Sequence, residues 1–139
     1  MKAIEGIGTL RYDPYRGDMK RRTKWWLVAD VDKEITRYYR WWVRRTHHII
    51  LEQPAWDAHI SVIRGEDACS KKSHLWNKYN GERVNFSYSP QTIQCAPDPN
   101  NGGHFWWINV KCSRMDQIRK EFDLPVGWNF HITFGRTYY

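Results

Sequence analysis

One stretch of nine residues occurs twice in the chain, and it constrains the fold more than any other feature. Residues 56–64 read Trp-Asp-Ala-His-Ile-Ser-Val-Ile-Arg, and residues 128–136 read Trp-Asn-Phe-His-Ile-Thr-Phe-Gly-Arg. In both copies a tryptophan precedes the histidine by three residues, a hydroxyl residue follows it by two, and an arginine follows it by five. Each copy also follows a predicted helix and a proline-containing loop. The repeat predicts a helix–loop–strand unit that occurs twice, and therefore a two-lobed fold with pseudo-two-fold symmetry.

The alternation of polar and apolar residues in both copies is typical of a β-strand that buries one face. Successive side chains of a strand point to opposite faces, so His59 and Ser61 share one face and the apolar residues between and after them share the other. The same rule places His131 beside Thr133. We expect the two strands to lie side by side across the pseudo-dyad, which makes both polar pairs converge in one groove.

Two imidazoles that face a phosphodiester are sufficient for acid–base cleavage. Because histidine titrates near neutrality, one imidazole can be neutral while the other is protonated at the same pH. The neutral one removes a proton from the attacking hydroxyl, and the protonated one donates a proton to the departing oxygen. His59 and His131 are therefore predicted as the catalytic pair. Ser61 and Thr133 are predicted to hydrogen-bond the non-bridging oxygens as charge builds on them.

The sequence favours a reaction that uses neither a metal ion nor a cofactor. It contains no Asp/Glu cluster typical of a magnesium site and no His-Glu-x-x-His zinc motif. The alternative interpretation is that each histidine only closes a hydrogen bond beside its hydroxyl neighbour. Two tetrads with matching flanks are much harder to obtain by accident than one, so the catalytic interpretation is preferred.

Length and composition predict a single soluble domain over residues 1–139. Hydrophobic residues make up 41% of the chain and charged residues 27%, as in ordinary globular proteins. There is no apolar run of about 18 residues and no secretory leader after Met1, so we expect no membrane partner. Three cysteines without Cys-x-x-Cys spacing indicate reduced thiols and a cytoplasmic location.

Charge and aromatic content point to a nucleotide ligand. The net charge is +7, and the chain has nine Trp and eight Tyr residues. Cations attract phosphates, and flat aromatic rings stack on bases. The alternative is a basic surface over an aromatic core, in which runs such as Lys20-Arg21-Arg22 only face solvent.

Hydrophobic periodicity and turn residues predict an α+β order of elements. Helices are expected from Asp30 or Asp32 to about Thr46, over Ser70–Tyr79, and from a capping pattern at Ser113 to about Phe122. Strands are expected over residues 4–12, 25–29, 58–64, 84–88, 91–96, 104–110 and 130–134, and the 91–96 strand is a candidate partner for the 84–88 strand. Turns are expected over residues 13–18 and 97–103.

Four further residues are candidates for substrate binding. Arg64 and Arg136 could contact phosphate, but an odd offset from the histidine places them on the opposite face of a regular strand. A bend, for instance at Gly65 or Gly135, would be needed to turn them inward. Tyr12 and Trp76 are the candidates for stacking on a base.

The paired tetrads resemble the signature of the 2H phosphoesterase superfamily, which includes RNA end-processing enzymes and LigT-like cyclic phosphodiesterases. Over nearly its full length the chain looks similar to one branch, the bacteriophage anti-CBASS nucleases. The stretches that carry this second likeness are Gly8-Thr9-Leu10-Arg11-Tyr12-Asp13-Pro14, Arg37-Tyr38-Tyr39-Arg40, Trp56-Asp57-Ala58-His59, Arg64-Gly65-Glu66 and the ending from His131 to Arg136.

The resemblance implies a compact α+β fold with antiparallel sheets and helices on the outside. It also implies a viral protein in the cytoplasm of the infected host cell, where it opens the cyclic di- and trinucleotides that bacteria make as alarm signals. Carried over to this chain, His59 and His131 become the catalytic pair, and Ser61 and Thr133 bind phosphate. No DNA partner is expected.

Two other functions stay open on the sequence. One keeps the chemistry but changes the substrate to RNA ends or 2′,3′-cyclic phosphates. The other is a non-catalytic nucleic-acid-binding module, which the duplicated histidine tetrad disfavours because binding needs no matched histidines. A small ring needs a closed cup lined by aromatic residues, whereas an RNA end needs a groove that extends on one side between basic residues.

Overall fold

The fold is described from a computed structural model that covers residues 2–14, 23–100 and 102–138, with residue 68 described by its backbone alone. The turn predicted from residue 13 is described only as far as Pro14, so its remainder and the basic run Lys20-Arg21-Arg22 lie outside the described residues. The strands are β1 (Ile4–Tyr12), β2 (Trp26–Asp30), β3 (His59–Arg64), β4 (Arg83–Tyr88), β5 (Ile93–Pro97), β6 (His104–Asn109) and β7 (His131–Arg136). The α-helices are α1 (Lys33–His47) and α2 (Ser113–Glu121), and a 3₁₀ helix covers Asp67–Leu75.

The seven strands form one antiparallel sheet in the order β4-β1-β2-β3-β7-β6-β5. The two copies of the repeat are the adjacent central strands β3 and β7, and Ile60 lies opposite Ile132 between them. The unit β2-α1-β3 and the unit β6-α2-β7 therefore flank a pseudo-two-fold axis at this pair. The predicted α+β fold and its symmetry are confirmed.

Each helix packs on the half of the sheet that belongs to the other unit. α1 begins at its N-cap Asp32, whose carboxylate accepts a hydrogen bond from the Glu34 N–H, and it packs on β7 through buried residues that include Tyr39 and Val43. α2 contacts β3 and β4, and its Ile118 is completely buried. The apolar faces of β3 and β7 thus lie under the helices, and their polar faces lie on the opposite side of the sheet.

Three details of the predicted elements are wrong. The helix predicted over Ser70–Tyr79 is a 3₁₀ helix that ends at Leu75, because Lys72 leaves the helical region and Asn77 adopts a positive φ of 73°. β5 pairs with β6 and not with β4, because the next strand along the chain, β6, returns along β5, while Ser87 of β4 forms an isolated bridge with Lys111. α2 begins after Cys112 without a side-chain cap, so the capping pattern at Ser113 does not form.

The thiols of Cys69, Cys95 and Cys112 are all free. Burial raises the pKa of the Cys69 thiol to about 11, which keeps it protonated and unreactive. Across the described ranges, none of the helices has the length and apolar character needed to cross a bilayer.

Candidate active site

The register between β3 and β7 brings the two polar faces of the repeat together. Since Ile60 lies opposite Ile132, the antiparallel order sets His59 across from Thr133 and Ser61 across from His131. Opposite side chains on one face of such a pair have Cβ atoms about 4.5–5.5 Å apart. Each histidine therefore faces the hydroxyl residue of the other copy, and all four side chains line one cavity.

A β-bulge at the same position of both strands changes the direction of the arginines. In β3 the partner of Val28 is Ser61 but that of its neighbour Leu27 is Ile63, so Val62 is the extra residue. In β7 the extra residue is Phe134, because Trp107 pairs with Thr133 and Trp106 with Gly135. One extra residue shifts the alternation of the strand by one step.

The consequence is that Arg64 and Arg136 come onto the same face as the histidines and line the cavity with them. The bend that was predicted to turn the arginines inward exists, and bulges at Val62 and Phe134 produce it. It is not produced by Gly65, which lies beyond the end of β3.

Both bulges are held by an arginine from the helix of the opposite unit. A bulge leaves its extra residue outside the ladder, so that the backbone carbonyl needs another donor. The Arg119 guanidinium in α2 donates to the Val62 carbonyl at 2.9 Å, and the Arg40 guanidinium in α1 donates to the Phe134 carbonyl at 3.0 Å. The crossed packing of the helices is therefore what fixes the two bulges.

The two imidazoles are oriented in the same way. Nδ1 of His59 lies 2.7 Å from the Asp57 carbonyl oxygen, and Nδ1 of His131 lies 3.0 Å from the Asn129 carbonyl oxygen. A carbonyl oxygen can only accept, so both Nδ1 atoms carry the proton. The ring nitrogen that can accept a further proton is then Nε2 in both histidines.

The cavity around these residues has a volume of about 770 Å³, within the range of small-molecule sites. Besides the two histidine–hydroxyl pairs and the two arginines, its wall is aromatic, with contributions from Trp56, Phe105, Trp107 and Trp128. No acidic side chain of the described ranges lines it. Such a wall suits an anionic ligand that carries flat rings.

In the first unit, a buried tryptophan connects the site residues. Trp26 is 1% exposed, and its indole N–H donates to the Ser61 hydroxyl oxygen at 3.1 Å. The same ring lies edge-on to His59, and the Arg64 guanidinium lies over it at 5.2 Å from the centroid. Because the indole supplies a donor to the Ser61 oxygen, the hydroxyl proton is directed to another acceptor, such as a phosphate oxygen.

The second unit has a different set of neighbours. Phe105 occupies the position opposite Arg136 that Trp26 occupies opposite Arg64, and its side chain has no hydrogen-bond donor. Arg136 forms an ion pair with the buried Asp98 at 3.2 Å, which compensates its charge. In the described part of the chain no ion pair is formed by Arg64, so Arg64 is the uncompensated cation of the cavity.

Two predicted substrate-binding residues lie away from this cavity. Tyr12 packs edge-on against Trp76 at 4.7 Å between ring centroids, and the Trp76 indole donates to the Asp13 carboxylate. Burial raises the pKa of the Tyr12 hydroxyl to about 12. The structure thus groups Tyr12 and Trp76 with each other and not with the histidines, and their stacking on a base stays a prediction.

The sequence interpretation missed Trp26, Arg40 and Arg119. The repeat could not reveal the arginines, because Arg40 precedes its histidine by 19 residues and Arg119 precedes its own by 12. The sequence placed Trp26 in the strand before α1. Only the register of that strand in the sheet shows which residue Trp26 faces. In the described ranges, no group of three or more His, Cys, Asp or Glu side chains is arranged to hold a metal ion.

A comparison with protein-family models matches residues 30–139 to the model described as Swiss Army Knife, 2H phosphoesterase domain. The match includes α1, α2 and both copies of the repeat. Searches among curated proteins and among solved structures return no match.

Proposed function

The chain belongs to the Swiss Army Knife 2H phosphoesterase domain family, and we propose that it cleaves phosphodiesters with His59 and His131 as its acid–base pair. The observation that carries the proposal is the matched orientation of the two rings. Each Nδ1 is held by the carbonyl two residues before it, and both rings line the same cavity. Two imidazoles oriented alike around one space can exchange protons with opposite sides of a phosphate.

The proposed reaction is attack by a ribose 2′-hydroxyl on the adjacent phosphorus. One imidazole takes the hydroxyl proton at Nε2 while the new oxygen–phosphorus bond forms. The other donates its Nε2 proton to the 5′-oxygen as the bond from phosphorus to that oxygen breaks. Ser61 and Thr133 donate hydrogen bonds to the non-bridging oxygens, and no metal ion takes part. A 2′-deoxy substrate cleaved at the full rate would contradict this first step.

The substrates we propose are cyclic di- and trinucleotides such as 3′,3′-cyclic GMP-AMP. Support comes from a cavity of about 770 Å³ whose wall offers four aromatic side chains for bases and cationic Arg64 for phosphate. The likeness to the phage anti-CBASS nucleases points the same way. Cleavage of such a ring would destroy the alarm signal in the cytoplasm of the infected cell and let the phage evade CBASS defence.

A second candidate substrate is an RNA end with a 2′,3′-cyclic phosphate. The observation that favours it is a smaller concavity beside the main cavity, joined to it at Pro54–Trp56 and Thr133. Lys33 and Arg40 line this extension together with one carboxylate, that of Asp57. A groove that continues between cations is what a polynucleotide chain requires.

The test is to incubate the purified protein, in EDTA, with three substrates in parallel. These are 3′,3′-cyclic GMP-AMP, a linear dinucleotide and an RNA with a 2′,3′-cyclic phosphate terminus. His59→Ala and His131→Ala are the inactive variants, and His74→Ala is the matched control because His74 is exposed and outside the cavity lining.

Cleavage of the ring by the wild type and by His74→Ala, but by neither of the other variants, is the expected result. Opening of the RNA terminus alone would keep the two-histidine chemistry and move the protein to RNA processing. Equal cleavage by His59→Ala or His131→Ala and the wild type would overturn the proposed mechanism for any of the three substrates.

A further inference from the structure

We propose that the outer face of α1 binds single-stranded nucleic acid, at a surface separate from the cavity of the two histidines. This surface, the α1 basic face, consists of Arg37, Trp41, Arg44, Arg45 and His48. Residues three or four apart in a helix lie on the same side, so the first four side chains form one stripe. His48 is the C-cap just after α1, and it lines one concavity with Trp41, Arg44 and Arg45. The inference stands on the charge and shape of this stripe and does not require the proposed substrate to be correct.

The charges of the α1 basic face are hardly compensated. The only α1 ion pair in the described ranges joins Arg37 to Glu34 at 3.4 Å, and both of these side chains are mostly exposed, so solvent screens it. Arg44 and Arg45 form no ion pair within the described part of the chain. Burial, and after it the charge of Arg37, lower the pKa of Arg40 on the same helix. An anion bound here would relieve this repulsion between like charges.

The equivalent helix of the other unit is built differently. In α2, Arg114 pairs with Glu82 at 2.8 Å and Arg119 pairs with Glu66 at 2.8 Å. The sequence of α2 also contains Asp116 and Glu121, whereas α1 has Glu34 as its one acidic residue. A basic exposed helix is therefore not a general property of this fold, since only one of the two matched helices has it.

Exposed aromatic rings lie within and beside the same stripe. Trp41 is 55% exposed and Tyr38 is 52% exposed, and their ring centroids lie 6.0 Å apart. Trp41, Arg44, Arg45 and His48 surround an open concavity whose described lining contains no acidic residue. Aromatic rings beside guanidinium groups bind unpaired bases by stacking and the backbone by charge. Paired bases in a duplex do not offer their faces in this way, which is why a single strand is favoured.

The α1 basic face is also continuous with the catalytic side of the protein. The extension beside Thr133 shares Lys33, Arg40 and Gln53 with a further concavity that reaches Arg37. One carboxylate also lines each of the two, Asp57 and Glu34 respectively. Arg37 lies one helical turn from Trp41, so a strand held on α1 can reach the edge of the main cavity along a path in which cations outnumber carboxylates.

The probe for the test is a fluorescein-labelled, single-stranded 2′-O-methyl oligouridylate, which lacks the 2′-hydroxyl and so is not consumed by the proposed reaction. Binding is measured by fluorescence anisotropy over a range of salt concentrations. The variant is Arg44→Gln with Arg45→Gln, which removes two charges and keeps good helix formers. The matched control is Lys71→Gln with Lys111→Gln, which removes two exposed charges away from α1.

The Arg44→Gln, Arg45→Gln variant is expected to lower the slope of log affinity against log salt by about 1.4, at about 0.7 for each lost phosphate contact with a single strand. The control keeps the wild-type slope, and both variants cleave the small cyclic substrate at the wild-type rate. Trp41→Ala, which removes no charge, is expected to weaken binding by about fivefold to a hundredfold.

Equal slopes for the two charge variants would overturn the inference. So would tighter binding to an RNA duplex or to anionic phosphatidylserine vesicles than to the single strand. Failure of the catalytic proposal gives a different result. The cyclic dinucleotide then stays intact, while the salt dependence of oligonucleotide binding still differs between the two charge variants.

Discussion

The strands β3 and β7 have equivalent surroundings, which differ in how the charges of the nearby arginines are compensated. Both strands carry the same tetrad, the same bulge and an arginine at the same place after it. At β3 the cavity arginine, Arg64, is exposed and lies over Trp26, whereas at β7 Arg136 is tied to the buried Asp98. For the arginines of the two helices, the one with an acidic partner is instead the one behind β3. Arg119, behind β3, has the partner Glu66, but Arg40, behind β7, has no described acidic partner.

This difference separates the parts of the site that chemistry requires from those that each half is free to vary. In the proposed reaction both sides of the phosphate need a proton-transfer group and a hydroxyl donor, which matches the presence of the histidine orientation and the bulge in both halves. The counter-charges are not part of that requirement, and they are what differs between the halves. We therefore expect substitution of the cavity arginine of β3 to affect substrate binding and substitution of the cavity arginine of β7 to affect stability.

The largest effect is expected for the helix arginines. Arg119→Ala removes a fully buried guanidinium and leaves Glu66 without it, which should cost about 3–5 kcal/mol of unfolding free energy. Arg40→Ala, its counterpart, removes a charged donor to one carbonyl and should cost about 1.5–3 kcal/mol. Urea unfolding of both variants measures this. Equal losses would contradict the expectation that burial and the partner Glu66 make the loss of Arg119 the more costly one.

The cavity arginines should separate binding from stability. Arg136→Gln removes the ion pair with buried Asp98 and should lower the unfolding free energy by about 1.5–3 kcal/mol. Arg64→Gln should leave stability unchanged and raise KM by about tenfold, because its guanidinium is the uncompensated cation for phosphate. The measurements are urea unfolding and steady-state kinetics with the cyclic dinucleotide. A rise in KM for Arg136→Gln alone would reverse the assignment.

The residues that directly follow the two bulges differ in size. A Cβ at Gly135 would lie 2.8 Å from Cβ of Leu51, whereas the equivalent position of β3 accommodates Ile63. Gly135→Ala should therefore cost about 1–3 kcal/mol of stability through overpacking. Thermal unfolding of this variant checks the prediction. Gly81→Ala serves as a comparison, because a Cβ at Gly81 meets no atom within 4 Å and strains only a backbone of positive φ. Unchanged stability of Gly135→Ala would show that Leu51 can move aside, and would contradict the prediction.

The smallest effect is expected at the indole of the first unit. Trp26→Phe reproduces the situation at Phe105 and removes the hydrogen bond to Ser61. The loss of one neutral hydrogen bond, about 0.5–1.5 kcal/mol, corresponds to a fall in kcat of about two- to tenfold. Trp106→Phe is the matched control, because its buried indole nitrogen has no described partner. An equal fall in both variants would mean that the indole does not position Ser61.

The sequence predicted the parts of the site that depend on local periodicity. The alternation in the two tetrads placed His59 with Ser61 and His131 with Thr133, and the N-cap at Asp32 set the start of α1. Both follow from contacts within a few residues of the chain.

The remaining features depend on pairing between distant segments. A bulge exists only relative to the neighbouring strand, so the odd offset of Arg64 could not reveal its direction. The ion pair between Arg136 and Asp98 and the hydrogen bond from Trp26 to Ser61 join residues 38 and 35 positions apart. The pairing of β5 with β6 likewise depends on which sheet edge is open, which no local pattern records.

The measurement that tests the central claim most directly is a double-mutant cycle on His59 and His131. The cycle compares kcat for cleavage of 3′,3′-cyclic GMP-AMP by the wild type, by His59→Ala, by His131→Ala and by the double variant. If the two imidazoles form one acid–base unit, each single change should lower kcat by about 10²–10⁴, and the double variant should be hardly slower than the slower single variant. A double variant whose loss equals the product of the single losses would show that the two histidines act independently, and would contradict the account.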